Sequence, residues 1–594
     1  MGCYEKNNDL ILLREEILKG KNRDVFKVFA IETAGGKTTT SISAMTDSIK
    51  NTLTNRKFVF ISKFKAECIK IANEINLMFE NKKAIALIFD ESVHDSNCTR
   101  NIYEVKNYDI LITTHATYCN MSNPKSDKHI ALKNIIYNNF HTLIIDEEIN
   151  PVKEGYYEFS KADIEIIQIL LNSYNKNIGE NFNNFVCKLL EELNSNNYSS
   201  KNQLYSSKNQ LHRVNEINIL KITIDVYYNN IYKDIENMNE EWLKDNTNET
   251  ITTLLNKLDS IYSTWMSILD NVALINVKEG KIYSYNYNFN YLMLKNNIWL
   301  DASANYYTMY NNSLFNVVKV EKTIKHDKCK VNIIKVKTTT SAKNVDKKFR
   351  DDITKYINEN VSNSSKGVVL TKKVECESLE SEEKYLKNNK NISLLNFENM
   401  RGINDYRDYK QCFYVHTYRL SPAYYVFLHE YFNNIILPDK EIEVKRINNV
   451  EWGFANNKEI QELMISDMAS SMYQGLKRIE RNRNPKATFH IFFKEMKVVH
   501  MALKEMNGIL NKDILKVIEE RPIGNKEAII NFIDNIWDKK RITCKDVYNE
   551  QLGIDKKIWS AIWKDEAFLA EMKKKRVKIG YTKHSKKTMY LMKY

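Results

Sequence analysis

The chain has 594 residues, of which 43% are hydrophobic, 11% aromatic and 27% charged. A single core stops growing at about 250–300 residues, so two to four domains are expected, and the apolar content excludes a chain disordered throughout. Lysine plus arginine outnumber aspartate plus glutamate by 88 to 75, and only 15 glycines and 6 prolines punctuate the chain, which argues for long helices rather than a turn-dense all-β architecture.

At the N-terminal end, residues 25–31 (VFKVFAI) form an apolar run that stops at ETAGGKTTTS, and helical periodicity follows. Further strand-like runs stand at 57–63, 84–90, 109–115 and 141–148, alternating with helical patterns. Such alternation predicts an α/β fold with a parallel sheet and crossover helices. From about 156 to 290 the pattern turns helical and rich in Asn, Lys, Tyr and Ile, which reads as an insertion. It contains YSSKNQL twice in tandem, at 198–211, too few copies for a solenoid.

Strand-like runs return at 297–304, 330–337, 366–373, 392–397, 411–418 and 487–493, predicting a second α/β domain. The last ninety residues read as three helices and a basic terminal hairpin, a winged-helix-like pattern. Residues 571–594 hold nine basic residues against one acid, Glu571, so much of the positive surplus lies there. Either a solvated charged end or a phosphate-backbone contact surface accounts for it. The expected boundaries are 1–155, 156–290, 291–324 (a return to the first domain), 325–505 and 506–594.

Nine scattered cysteines with no C-x-x-C pair encode neither a disulfide framework nor a zinc knot. The start MGCYEKNNDL lacks a signal-peptide apolar run, and no 18-residue apolar stretch occurs, so a cytoplasmic protein without membrane partners is expected.

Three segments carry chemistry. In the first, Thr33-Ala34-Gly35-Gly36-Lys37-Thr38 joins a strand to a helix. There backbone N–H groups and the helix N-terminus suit phosphate, Lys37 suits the β/γ-phosphates, and the Thr38 hydroxyl suits Mg²⁺. Ala34 stands where glycine is more usual. In the second, Asp146 and Glu147 end a buried strand, on the sheet edge that the phosphate loop also faces. Asp146 is expected to hold Mg²⁺ and Glu147 to orient and deprotonate the attacking water. In the third, SSMYQGLKRIERNRN, placed on a helix, puts Gln474, Lys477, Arg478 and Arg481 on one face, a cationic stripe suited to a triphosphate.

In this order the segments resemble the superfamily 2 helicases, in particular the DEAD/DEAH-like helicases of phages and mobile elements. ETAGGKT looks like motif I, Ile61-Ser62-Lys63 like motif Ia, LITTHATY like motif Ib and DEEI like motif II. LDASA looks like motif III, VVLTKK like motif IV, RGINDYRD like motif V and QGLKRIER like motif VI, with Lys477 in place of a glycine. The resemblance spans about residues 25–495 and implies two RecA-like domains that sandwich ATP and Mg²⁺ while nucleic acid crosses both. It implies an ATP site of Lys37, Thr38, Asp146 and Glu147 completed by Gln474, Arg478 and Arg481 from the second domain. It further implies strand contacts at Lys63, Thr114, Thr371 and Arg401, and coupling through Ser303.

No glutamine precedes Lys37 as in true DEAD-box RNA helicases, and Cys68, Cys98 and Cys119 are too few for the iron–sulfur helicases. The expected activity is an ATP-dependent DNA helicase or translocase in replication of a phage, plasmid or other mobile element. DNA is favoured over RNA because of the tail, where Lys573, Lys574, Lys575 and Arg576 are candidate contacts. The insertion is a candidate docking arm for a replication partner. A replication initiator that uses its ATPase as a switch is the alternative, and a packaging motor lacks its nuclease carboxylates.

Overall fold

The computed structural model describes residues 8–51, 56–124, 126–194, 211–214, 221–247, 250–270, 272–276, 280–287, 289–336, 338, 347–361, 365–372, 390–397, 405–416, 418–447, 451–482, 484–509, 511–515, 526, 529–530, 532–533, 541–552, 554, 556–582 and 585–593.

The first sheet is built from β1 (Phe26–Phe29), β2 (Phe58–Ser62), β3 (Ala84–Leu87), β4 (Cys98–Thr99), β5 (Ile110–Thr114), β6 (Thr142–Asp146), β7 (Asn296–Leu300) and β8 (Phe315–Val318), in the order β8-β1-β7-β6-β2-β5-β3-β4. Every pairing is parallel. Alternate residues of one strand enter different cores: Val59 and Ile61 pack on one face of the sheet, Phe58 and Phe60 on the other. A strand apolar on both sides needs cover on both faces, which the leading helix α1 (Asn8–Lys19) and crossover helices such as α2 (Lys37–Lys50), α3 (Lys65–Asn76) and α4 (His115–Ser122) supply. β7 and β8 return from far along the chain, and β7 inserts between β1 and β6.

The second sheet comprises β9 (Lys330–Ile334), β10 (Gly367–Thr371), β11 (Ile392–Asn396), β12 (Gln411–Tyr414), β13 (Thr488–Phe492) and β14 (Asn511–Leu515), ordered β11-β10-β12-β13-β9-β14 and again parallel throughout. Its edge strand β14 lies past the boundary expected at residue 505, because it pairs with β9. Two parallel sheets with crossover helices make the α/β architecture of RecA-like lobes. Helices α5 (Pro422–Asn433) and α6 (Lys458–Leu476) belong to the second lobe and pack on each other.

Between the strands of the first sheet, residues 156–290 carry helices and also a four-stranded antiparallel sheet, ordered 156–160, 281–285, 274–276, 212–213, which the helical reading did not include. The helices wrap a core of their own around the fully buried Trp265, whose indole N–H donates to the Phe185 carbonyl at 3.1 Å. The tandem YSSKNQL, apart from Leu211, lies outside the described residues. At the C-terminal end, β15 (Arg541–Thr543), β16 (Val577–Thr582) and β17 (Ser585–Lys593) form an antiparallel sheet beside α7 (Lys556–Ile562) and α8 (Glu566–Lys574). Among the described residues no helix is long and apolar enough to cross a membrane.

Trp265→Ala removes the central ring of the insertion's core and its hydrogen bond. It is expected to destabilise that region by about 3–5 kcal/mol, read as a lower urea midpoint for protease resistance of the insertion. A loss below about 1 kcal/mol would show that the ring does not organise these helices.

Candidate functional site

The site begins where β1 ends. Gly36 caps α2 with φ 92° and offers no side chain to the first-turn N–H groups, and Ala34 shares the left-handed region at φ 68°. An L-residue accepts that conformation at a cost of about 1–2 kcal/mol, so Ala34 does the work of the more usual glycine under strain. Between them, Gly35 is enforced by space, since a Cβ there would lie 2.8 Å from both the Glu32 carbonyl and Ile31 Cγ2. The result is a concave run of N–H groups at a helix N-terminus, suited to phosphate oxygens.

Lys37 and Thr38 open α2 facing the end of β6. Thr38 Oγ1 donates to Asp146 Oδ2 at 2.7 Å, and Lys37 Nζ lies 3.7 Å from Asp146 Oδ1 and 3.4 Å from the Leu300 carbonyl. His115 Nε2 meets the Asp146 carbonyl at 2.8 Å, which fixes the strand end. Burial pushes the Asp146 carboxyl above its usual range, and the Lys37 ammonium opposes that shift. Asp146 Oδ1 is buried with no hydrogen-bond partner among the described residues. A hydroxyl and a carboxylate with one oxygen outside any hydrogen bond are the hard donors that Mg²⁺ takes, so the residues present fit that ion.

Glu147 follows with φ 72°, its N–H donating to the Leu300 carbonyl at 3.0 Å. This turn aims its carboxylate at the second lobe, where Arg478 Nη2 stands 3.6 Å from Glu147 Oε1. Arg478 is 1% exposed, and Gln474 Oε1 accepts from its Nη2 at 3.5 Å. The Arg481 guanidinium is pushed down to about 10 by burial and by Arg478, with Glu147, Glu67 and Asp146 acting in the opposite sense. Lys37, Thr38, Asp146, Glu147, Gln474, Arg478 and Arg481 thus meet at one junction of the two lobes.

The single helical face expected for the third segment is corrected by the structure. α6 ends at Leu476 with Lys477 as its cap, Arg478 N–H turns back to the Gly475 carbonyl at 3.1 Å, and Glu480 takes φ 45°. An i→i+3 bond tightens the last turn and stops the helix. Arg478 therefore faces Glu147, whereas Lys477 Nζ faces His326 Nε2 at 2.8 Å in the connection between the lobes.

Ser303 is buried and donates to Asp301 Oδ1 at 2.7 Å while accepting from Ser470 of α6 at 2.8 Å, so it bridges the lobes. The expected strand contacts fare differently. Lys63 follows β2, half-buried, with its ammonium 5.2 Å from the Phe64 ring centre. Thr114 is buried and its hydroxyl accepts from the Thr117 N–H as the cap of α4, so it is committed to the helix start. Thr371 is wholly buried at the end of β10, which gives its side chain no surface to offer a strand in this conformation. Arg401 lies outside the described residues. Lys573 and Lys574 are exposed on the last turn of α8, Lys575 caps it, and Arg576 is exposed at φ 55°.

Several site residues escaped the sequence reading. Glu67 sits on α3 beneath the carboxylates, accepts from Ser62 Oγ at 2.5 Å and is raised chiefly by burial, then by Asp146 and Glu147. Glu32 Oε1 accepts from the N–H groups of Thr323 at 2.8 Å and Ile324 at 2.7 Å. Asp467 of α6 accepts from Tyr307 at 3.2 Å and Tyr425 at 2.9 Å. Glu32 and Asp467 belong to no local pattern, because their partners are distant in sequence.

Residues 13–171 match the family described as DEAD/DEAH box helicase, and the chain is an ATP-hydrolysing, superfamily 2 helicase-like enzyme. Its fold is similar to solved structures described as XPD helicase (13% identity, TM-score 0.54, covering 86% of this chain and 99% of that one) and XPD apo (14%, 0.54, 85% and 100%). Xpd4 of S. tokodaii is also similar, at 11% identity and TM-score 0.48, covering 85% of this chain and 98% of that one. At these identities the likeness is one of fold. No curated protein matches the chain by sequence.

Burial and the Lys477 ammonium push His326 down to about 3. The unfolded chain, with an ordinary histidine near 6.5, therefore binds a proton that the folded chain refuses. The stability this confers is present above about pH 6.5 and is lost as the pH falls toward 3, by about 2 kcal/mol at pH 5. His326→Asn, which keeps an acceptor for Lys477, should shrink the stability difference between pH 7 and pH 5 by that amount in urea titrations. An unchanged difference would show that His326 takes up its proton while folded.

Proposed function

We propose that the chain is an ATP-driven motor that moves on or unwinds DNA, acting in replication of a phage, plasmid or other mobile element. The observation that carries this reading is the approach of Arg478 to Glu147 at 3.6 Å across the lobe junction. A site with one half in each lobe senses how close the lobes are, so hydrolysis and lobe movement become one event.

In this reading the loop 33–38 and Lys37 bind the triphosphate, with Thr38 and Asp146 holding the Mg²⁺ that neutralises its charge. Glu147, strained into position after β6, orients the attacking water and accepts its proton. Gln474, Arg478 and Arg481 approach the γ-phosphoryl group from the second lobe, where cationic donors stabilise charge that develops only in the transition state. Ser303 and Ser470 pass the closure from the site to α6. Lys63 and the basic residues 573–576 are positioned to meet phosphates of the strand, and the insertion at 156–290 is a docking arm for a replication partner.

ATP hydrolysis should rise severalfold with random-sequence single-stranded DNA, more than with RNA of the same sequence, and a tailed DNA duplex should be separated. Flat hydrolysis together with tight binding to one duplex sequence would replace the motor with an initiator. Lys37→Ala should abolish turnover through lost phosphate binding. Glu147→Gln should lower kcat by at least about 10²-fold while still binding ATP, measured with a fluorescent ATP analogue. Retained hydrolysis in either variant would remove that residue's assigned role.

A further inference from the structure

The C-terminal module encloses a cavity of about 550 Å³ between α7, α8 and β16, lined by Trp559, Trp563, Met572, Lys564, Lys573 and Lys578 among others. That volume lies within the range of ligand-binding pockets. Two indoles form its wall, with ring centres 5.7 Å apart, and Phe568 and Tyr548 brace them edge-on and tilted from behind. Trp559 is 1% exposed, and the ring nitrogens of both tryptophans are buried without a hydrogen-bond partner among the described residues. The mouth is cationic, with Lys564, Lys573 and Lys578 exposed around it.

We propose that this cavity takes an unstacked base of single-stranded nucleic acid. The proposal rests on the nucleic-acid motor reading above. A nucleobase answers the features of the cavity: its flat face stacks on the partly exposed Trp563 indole, and its flanking phosphates meet the three lysines. A base held in a duplex exposes no face and cannot enter. An acidic peptide would satisfy the lysines, but it leaves the Trp563 face without a flat partner. The module would thereby grip the strand by stacking, at a point separate from the lobes that move along it.

The test uses the full chain and fluorescence anisotropy with a labelled 20-nucleotide oligothymidylate and an abasic strand carrying the same phosphates. The wild type should prefer the base-bearing strand. Trp563→Ala should weaken binding to that strand by at least about fivefold, the low end expected for one stacked base, and leave the abasic strand unaffected. Trp563→Phe, which keeps a ring in the core, should show a smaller loss in the same direction. Lys573→Ala should weaken both strands equally and reduce the salt dependence. Unchanged preference in both tryptophan variants, with oligothymidylate still stimulating ATP hydrolysis, would overturn the pocket and leave the motor standing. No binding and no stimulation in the wild type would overturn both. Binding of polyglutamate that depends on Trp563, with oligothymidylate binding untouched, would assign the cavity to an acidic peptide and overturn the proposal.

Discussion

The buried carboxylate of Asp146 is the constraint around which the first lobe is arranged. A carboxylate taken out of water is costly unless cations and donors surround it, and here Thr38, Lys37 and the strand end held by His115 supply that environment. These groups come from three separate stretches of sequence. They meet because every strand of a parallel sheet delivers its C-terminal end to the same edge. β1 and β6 are not adjacent, since β7 lies between them, and this spacing leaves room for α2 to lower its N-terminus into the gap. The long return of the chain to form β7 is therefore part of the site, and the Leu300 carbonyl at its end touches both Lys37 and the Glu147 N–H.

The second lobe is joined to the first through a shared apolar core, and polar contacts are set into it. Ser470 meets Ser303, Asp467 accepts from Tyr307, and Asn150 donates to Tyr424 at 2.6 Å. Buried polar groups stabilise only when all partners are present. Such an interface has one good register and poor neighbours to it, which is what two lobes need if they are to alternate between discrete arrangements. The residues involved follow directly from the two acidic ends of the first sheet: Glu148 and Asn150 come after β6, Ser303 and Tyr307 after β7. The contacts between the lobes thus start from the same strand ends that carry Asp146, Glu147 and Ser303.

Much of this was legible in the sequence, for a physical reason. Lys37, Thr38, Asp146 and Glu147 stand at strand ends, and short buried strands of β-branched residues announce themselves by composition. Ser303 could be found in the same way, after β7. What composition does not encode is where a helix stops when a tertiary contact stops it. Gln474, Lys477, Arg478 and Arg481 have ideal helical spacing, yet two buried cations with partners in opposite directions end α6 at Leu476. The antiparallel sheet at 156–285 was missed because its strands are short and the paired, tyrosine-rich strands 156–160 and 281–285 are separated by about 120 residues. Thr114 and Thr371 illustrate the converse: the resemblance implied strand contacts for them, but a threonine at a strand end caps or packs as readily as it reaches outward.

Lys477 shows how a departure from the family pattern is absorbed. Where glycine would leave space, its side chain enters a buried pocket against His326, and burial pushes it down to about 8 against the pull of Glu32. Glu32 itself heads the phosphate loop and grips the connection between the lobes at Thr323 and Ile324, and His326 lies two residues further along that connection. The connection is therefore held from both sides, by the loop that meets phosphate and by the turn that carries Arg478. The substitution that first looked like a defect in the motif adds a second tie between the arginine turn and the phosphate loop.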